Sequence, residues 1–125
     1  MDDRVTGAVR RYFEAVTAPD GDAFAALFTD DATVEDPVGT PALVGPPDMA
    51  KFHRRLHRAW QTLAMTPGDV YVRGDAAAAH WTAAGTSAGG NRIEFAGINV
   101  FVVAADGRIA RLAAYWDLEG VVARF

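Results

Sequence analysis

The chain has 125 residues, half of them hydrophobic and a tenth aromatic, with a net charge of −4 and a pI near 5.2. A chain of this size can bury a core of its own, so one globular unit over residues 1–125 is expected, and its acidic balance offers no long-range attraction to a nucleic-acid backbone. Cysteine is absent, which excludes disulfide and thiolate chemistry, and no run of eighteen uncharged apolar residues or leader-like segment is visible; a cytoplasmic protein with no membrane span is the expectation.

Val5, Ala8, Val9, Tyr12, Phe13 and Val16 recur at helical spacing, which predicts an amphipathic first helix capped by Asp2 or Asp3. After "APDGD", Asp22 is placed to cap a short second helix that buries Phe24, Leu27 and Phe28. A brief strand from Ala32 to Asp36 follows, and strict alternation would send Glu35 to the face opposite Asp36. Pro46 or Pro47 suits the first turn of a third helix, whose stripe is Met49, Phe52, His53, Leu56, Trp60 and Leu63.

The second half changes period. "DVYVRG", "AAAAHWTAAGTSA", "NRIEFAGINVFVV" and "RIARLAAYWD" are strand-like runs separated by "RGD", "AGGN" and "AADG", which predicts an antiparallel meander after the helices and hence an α+β class. In the third of these strands Ile93, Phe95, Gly97, Asn99, Phe101 and Val103 share a face, which puts an amide among apolar side chains; Leu112, Ala114 and Trp116 share a face in the fourth. The alanine-rich strand cannot be phased from its pattern.

Dinucleotide, phosphate-loop and serine-hydrolase motifs are missing. His53 and His57 have the i, i+4 spacing of a metal pair, but "HRRLH" lacks the glutamate of the zinc-protease helix and no third ligand is signalled, so no metal is expected. "KFHRRLHR" reads as a solvated basic face. Taken alone, "EDPVG" is an acidic turn, and Tyr12 and Asn99 are a core tyrosine and a structural amide.

The order of elements resembles the nuclear-transport-factor-2-like cone, in which three N-terminal helices pack on a curved mixed or antiparallel sheet around a pocket. Within that group, "RRYFEAV", "GDAFAALFTDDATVEDPVG" and "INVF…GRIARLAAYW" are similar to the ketosteroid isomerase family, over nearly the whole chain. The resemblance implies a cofactor-free isomerase that moves a carbon–carbon double bond into conjugation with a ketone. Asp36 would be the general base and Tyr12 a donor to the developing oxyanion. Asn99 stands where that family has a protonated aspartic acid as second donor; the amide still donates, at every pH, but is a weaker acid, so a slower enzyme is expected. His53 falls where the family has a tyrosine that supports the donor.

The implied ligand is a small, hydrophobic, polycyclic ketone in a pocket lined by Val34, Phe52, His53, Phe95, Phe101, Leu112, Ala114 and Trp116. A homodimer through the outer sheet face, with Arg92, Glu94, Ile98, Val100 and Val102, is also implied. Within the same fold, a polyketide cyclase or an epoxide hydrolase with Asp117 as a second carboxylate, and a non-catalytic binder of lipophilic ligands, are the competing expectations.

Overall fold

The computed structural model describes residues 3–125 and orders them as α1 (Arg4–Val16), α2 (Gly21–Ala25), β1 (Phe28–Glu35), β2 (Leu43–Val44), α3 (Gly45–Ala59), β3 (Trp60–Arg73), β4 (Ala76–Ser87), β5 (Arg92–Val103), β6 (Ile109–Tyr115) and α4 (Leu118–Ala123). The six strands form one sheet in the order β2-β1-β6-β5-β4-β3. Every neighbouring pair is antiparallel except β1 with β6, which is parallel, so the sheet is mixed rather than a pure meander. The class is the expected α+β cone: a curved, unclosed sheet with helices on its inner side. Among the described residues no helix is long and apolar enough to cross a membrane.

The helical stripe of α1 is buried at all six positions read from the sequence, because a period near 3.6 brings them to one side and that side meets the sheet. The capping expectations need correction. Asp2 lies outside the described residues, and Asp3 occupies the N-cap of α1 without a side-chain cap bond; its carbonyl accepts from Gly7 N–H at 2.8 Å and the Thr6 hydroxyl at 3.2 Å instead. In α2 the cap is Asp20, which accepts from Ala23 N–H at 3.0 Å, while Asp22 sits inside the first turn.

Helix α3 carries prolines at its start as expected but stops at Ala59. Trp60 and Leu63 belong to β3, a 14-residue strand and not the short "DVYVRG" segment alone. The pairing register of β3 with β4 shifts between Trp60 and Thr62, and such an irregularity adds a residue that re-aims the following side chains. Trp60 and Leu63 therefore both face inward at a spacing of three, which imitates a helical stripe.

In β4 the odd positions Ala77, Ala79, Trp81, Ala83 and Ser87 are buried and the even ones are more exposed, which settles the phase that sequence left open. Strand β1 begins at Phe28, earlier than expected, and ends at Glu35. The C-terminal helix α4 was not anticipated. Its pattern is nevertheless present: Asp117 accepts from Gly120 N–H at 3.1 Å as N-cap, and Leu118, Val121, Val122 and Phe125 recur at helical spacing.

Candidate active site

A cavity of about 360 Å³ opens between α1, α3, α4 and the inner face of the sheet. Tyr12, Asp36, Asn99, Phe52, Phe95 and Trp116 line it, together with Val16, Arg55, Leu56, Ala59, Trp60, Leu63, Met65, Trp81, Leu118, Val121, Val122 and Phe125. Its size and composition, apolar walls with a few convergent polar groups, are those of a site for a small organic ligand. Asp36 is the single acidic residue and Arg55 the single cationic residue among those lining it.

Asp36 is delivered by the parallel pairing that the sequence did not announce. Val34 lies opposite Leu112 and Glu35 opposite Ala113, and Val38 N–H donates to the Ala114 carbonyl at 2.8 Å, so the end of β1 is fastened beside the end of β6. Trp116, just beyond β6, then donates its indole N–H to Asp36 Oδ1 at 2.6 Å. Glu35 turns away and accepts from Gly39 N–H at 3.3 Å, within the turn that follows Pro37. Although Asp36 as a whole residue is only partly covered, its carboxyl is enclosed by protein. Burial raises its pKa from 3.8 to about 6, against a smaller lowering by the Trp116 hydrogen bond.

The sign of that shift matters for stability. A carboxyl that binds its proton more tightly when folded makes the folded state lose stability as pH rises from about 4 to about 6, and the loss persists above that range. At about 1.4 kcal/mol per pH unit, holding Asp36 ionised at neutral pH costs roughly 2 to 3 kcal/mol. A group retained at such a cost in a cavity is a candidate for chemistry.

Asn99 sits on the inner face of β5, fully buried, and its orientation is dictated by Trp81. The indole N–H can only donate, and it reaches Asn99 Oδ1 at 2.9 Å, so the amide oxygen faces Trp81 and the NH₂ group faces Tyr12. Gly97 makes this possible. Trp81 and Gly97 are register partners, and a Cβ at Gly97 would lie 2.4 Å from Trp81 Cζ2 and 2.6 Å from the Tyr115 carbonyl oxygen, so only glycine lets the indole cross β5 to Asn99.

Tyr12 comes from the buried stripe of α1, and its ring is wedged against Phe13, Phe101 and Phe24 with centroids 5.3, 5.3 and 5.8 Å away. Burial is the first cause that raises its pKa well above 10, the negative charge of Asp36 the second, and the hydrogen bond with Asn99 opposes both. The phenol is neutral, and a donor, throughout the working pH range. With the amide NH₂ directed at the phenol oxygen, the phenol hydrogen is left to point elsewhere.

The remaining expected site residues are placed differently. Phe52, Phe95 and Trp116 line the cavity, whereas Val34, Phe101, Leu112 and Ala114 are packed in the core. The reason for Phe101 is that α1 covers that end of the sheet, with Tyr12 and Phe13 against its ring. His53 lies outside the cavity: its Nε2–H donates to the Ala18 carbonyl at 2.8 Å and its ring stacks on His57 at 4.0 Å, so it makes no bond to Tyr12. His57 donates likewise to the Val16 carbonyl at 3.1 Å. Among the described residues no group of three or more metal-ligating side chains is assembled. Asp117 is engaged as the cap of α4 and does not line the cavity.

Sequence reasoning missed the wall formed by Leu63, Met65 and Trp81 and the cover formed by α4. The apolar i, i+3, i+4, i+7 spacing after Asp117 could have disclosed the latter.

The chain and its fold have counterparts among known proteins. A steroid Delta-isomerase from Nocardioides simplex is 34% identical over 116 residues, covering 93% of this chain and 92% of the relative. An epoxide hydrolase of the LEH-like type from Mycobacterium tuberculosis superposes with a TM-score of 0.80 at 26% identity, over 97% of this chain and 91% of the other. A second Mycobacterium tuberculosis protein, solved in complex with estradiol-17beta-hemisuccinate, does so with a TM-score of 0.82 at 23% identity, over 93% and 95%. Residues 9–112 match the SnoaL-like domain, and the chain belongs to the SnoaL-like family.

Proposed function

We propose that the protein is a cofactor-independent isomerase of the steroid Delta-isomerase kind, acting on a β,γ-unsaturated polycyclic ketone. One observation carries the reading: the single carboxylate of an apolar cavity, with its pKa raised to about 6, shares that cavity with a neutral phenol and an oriented amide NH₂. The 34% identity to a steroid Delta-isomerase supports it.

In this reading ionised Asp36 removes a proton from the carbon between the ketone and the double bond. The electron pair moves into a dienolate whose oxygen accepts hydrogen bonds from Tyr12 and Asn99. Asp36 then returns the same proton to the far carbon of the former double bond, and the product is the conjugated enone. Each donor of this type is worth about 2.7 to 4 kcal/mol in the transition state. A base near pH 6 is ionised at neutral pH yet basic enough to take a carbon-bound proton from an acidified ketone. Trp116 holds the carboxylate; the aromatic walls supply the affinity.

The outer sheet face, where Ile98, Tyr115 and Tyr71 are 45%, 52% and 69% exposed beside the Arg92–Glu94 ion pair, is the proposed dimer surface. The test of function is the rise of conjugated-enone absorbance with a β,γ-unsaturated 3-ketosteroid. Turnover abolished in Asp36→Asn is expected. Steroid binding without turnover would identify a binder, and Asp36-dependent epoxide consumption without isomerisation would identify a hydrolase.

A further inference from the structure

The cavity has a charged residue that the proposed chemistry does not use. Arg55 lies on α3 three residues after Phe52 and four before Ala59, and all three line the cavity. Arg55 is exposed to solvent, whereas the Asp36 carboxyl is enclosed, so the two charges occupy the wet and the dry ends of one apolar space. Rings line the same cavity in series: Trp116, bonded to Asp36, is 5.6 Å from Phe95, which is 5.7 Å from Trp60, which is 4.9 Å from Phe125. Arg55 makes no hydrogen bond or ion pair with any described residue. Of the cations on α3 only Arg55 lines this cavity, since Arg54 and Arg58 border a separate cleft beside α2. An acidic protein thus places one positive charge at the solvent-exposed side of its cavity.

We propose that Arg55 is a specificity-determining residue that selects substrates carrying a carboxylate at the end remote from the enolisable ketone. The substrate class is an amphipathic polycyclic keto acid. This rests on the isomerase reading for which end enters first: the ketone must reach Tyr12 and Asn99, so the far end of a rigid ring system emerges beside α3. A guanidinium presents a planar fork of donors that fits a carboxylate in two-point fashion, and an unpaired one at the mouth gives up no existing bond to do so. An ion pair still open to water contributes modestly, which sets the expected preference at about two- to fivefold.

The experiment compares a β,γ-unsaturated 3-ketosteroid bearing a 17β-carboxylate with its methyl ester, reading KM for each. In parallel, the saturated, unreactive acid and ester are titrated by quenching of tryptophan fluorescence, since all three tryptophans line the cavity. The acid is expected to bind about two- to fivefold more tightly than the ester, with the ratio shrinking as salt rises. Arg55→Gln should bring the ratio to about one, and Arg55→Glu should invert it. Equal binding of acid and ester by the wild-type protein, or a preference that survives in Arg55→Gln, overturns the proposal. The saturated pair separates the two ideas: a charge preference in binding without any turnover sinks the isomerase reading and leaves the selection by Arg55 standing. Turnover without a charge preference does the reverse.

Discussion

Two clusters of polar side chains, one between α1 and α3 and one on the inner face of the sheet, are held in opposite ways. On the α1–α3 side, buried His53 donates Nε2–H to the Ala18 carbonyl just past α1 and packs against Phe24, while exposed His57 stacks on it and donates to the Val16 carbonyl at the end of α1. On the sheet side, Asn99 is held by Trp81 and Tyr12, and Asp36 by Trp116, and all three line the cavity with hydrogen-bonding capacity to spare. The first group ties the end of α1 to α3 and stands apart from the cavity that holds Asp36. The second is positioned by Trp81 and Trp116 but not exhausted by them. Burial of a polar side chain therefore says little about function until its partners are counted.

The largest expected effect breaks the sheet-side group. Asp36→Asn removes the acidic side chain that lines the cavity and should lower isomerase turnover by about 10²- to 10⁴-fold. The same change should raise the thermal midpoint at neutral pH, because the roughly 2 to 3 kcal/mol cost of an ionised, enclosed carboxylate disappears. The gain should vanish near pH 4, and a protein less stable at pH 7 than its parent would contradict the assigned environment of Asp36.

Tyr12→Phe keeps the ring packing and deletes one donor, so kcat is expected to fall about 10²- to 10³-fold with little loss of stability. His53→Ala sharpens the contrast from the other side. It leaves the cavity intact but removes a buried ring and its bond to Ala18, so a loss of about 2 to 4 kcal/mol in denaturant unfolding is expected, with kcat within about twofold in the folded protein. A collapse of kcat in a stable His53→Ala protein would erase the distinction between the two groups.

The smallest effect concerns the base alone. The rate at limiting substrate should rise with pH through about 6, since Asp36 must lose its proton to act. The Trp116 hydrogen bond lowers that pKa, so Trp116→Phe should move the midpoint upward, by less than about one pH unit, in a pH–rate profile.

Several structural features could be read before any coordinates. The α1 stripe, the prolines that open α3 and the alternation of β5 follow from local periodicity, which survives into the fold because each element buries only one side. The C-terminal helix was equally readable in its spacing and was overlooked. Other features depended on distant pairing. Trp60 and Leu63 looked helical because a register shift in β3 reproduces a spacing of three, and the shift exists only in relation to β4. Phe101 shared a face with Asn99 yet lost access to the cavity because α1 covers that end of the sheet.

The amino-acid order alone settles the apolar side of α1 and β5, the proline-marked start of α3, and that an acid stands at the end of the first strand, since these depend on neighbours a few residues away. Which polar groups meet depends on contacts across 80 residues between Asp36 and Trp116, and across β5 between Trp81 and Asn99. A lone indole N–H fixes the amide of Asn99, an enclosed carboxyl holds its proton to about pH 6, and both facts arise only when the sheet curls and brings these partners together.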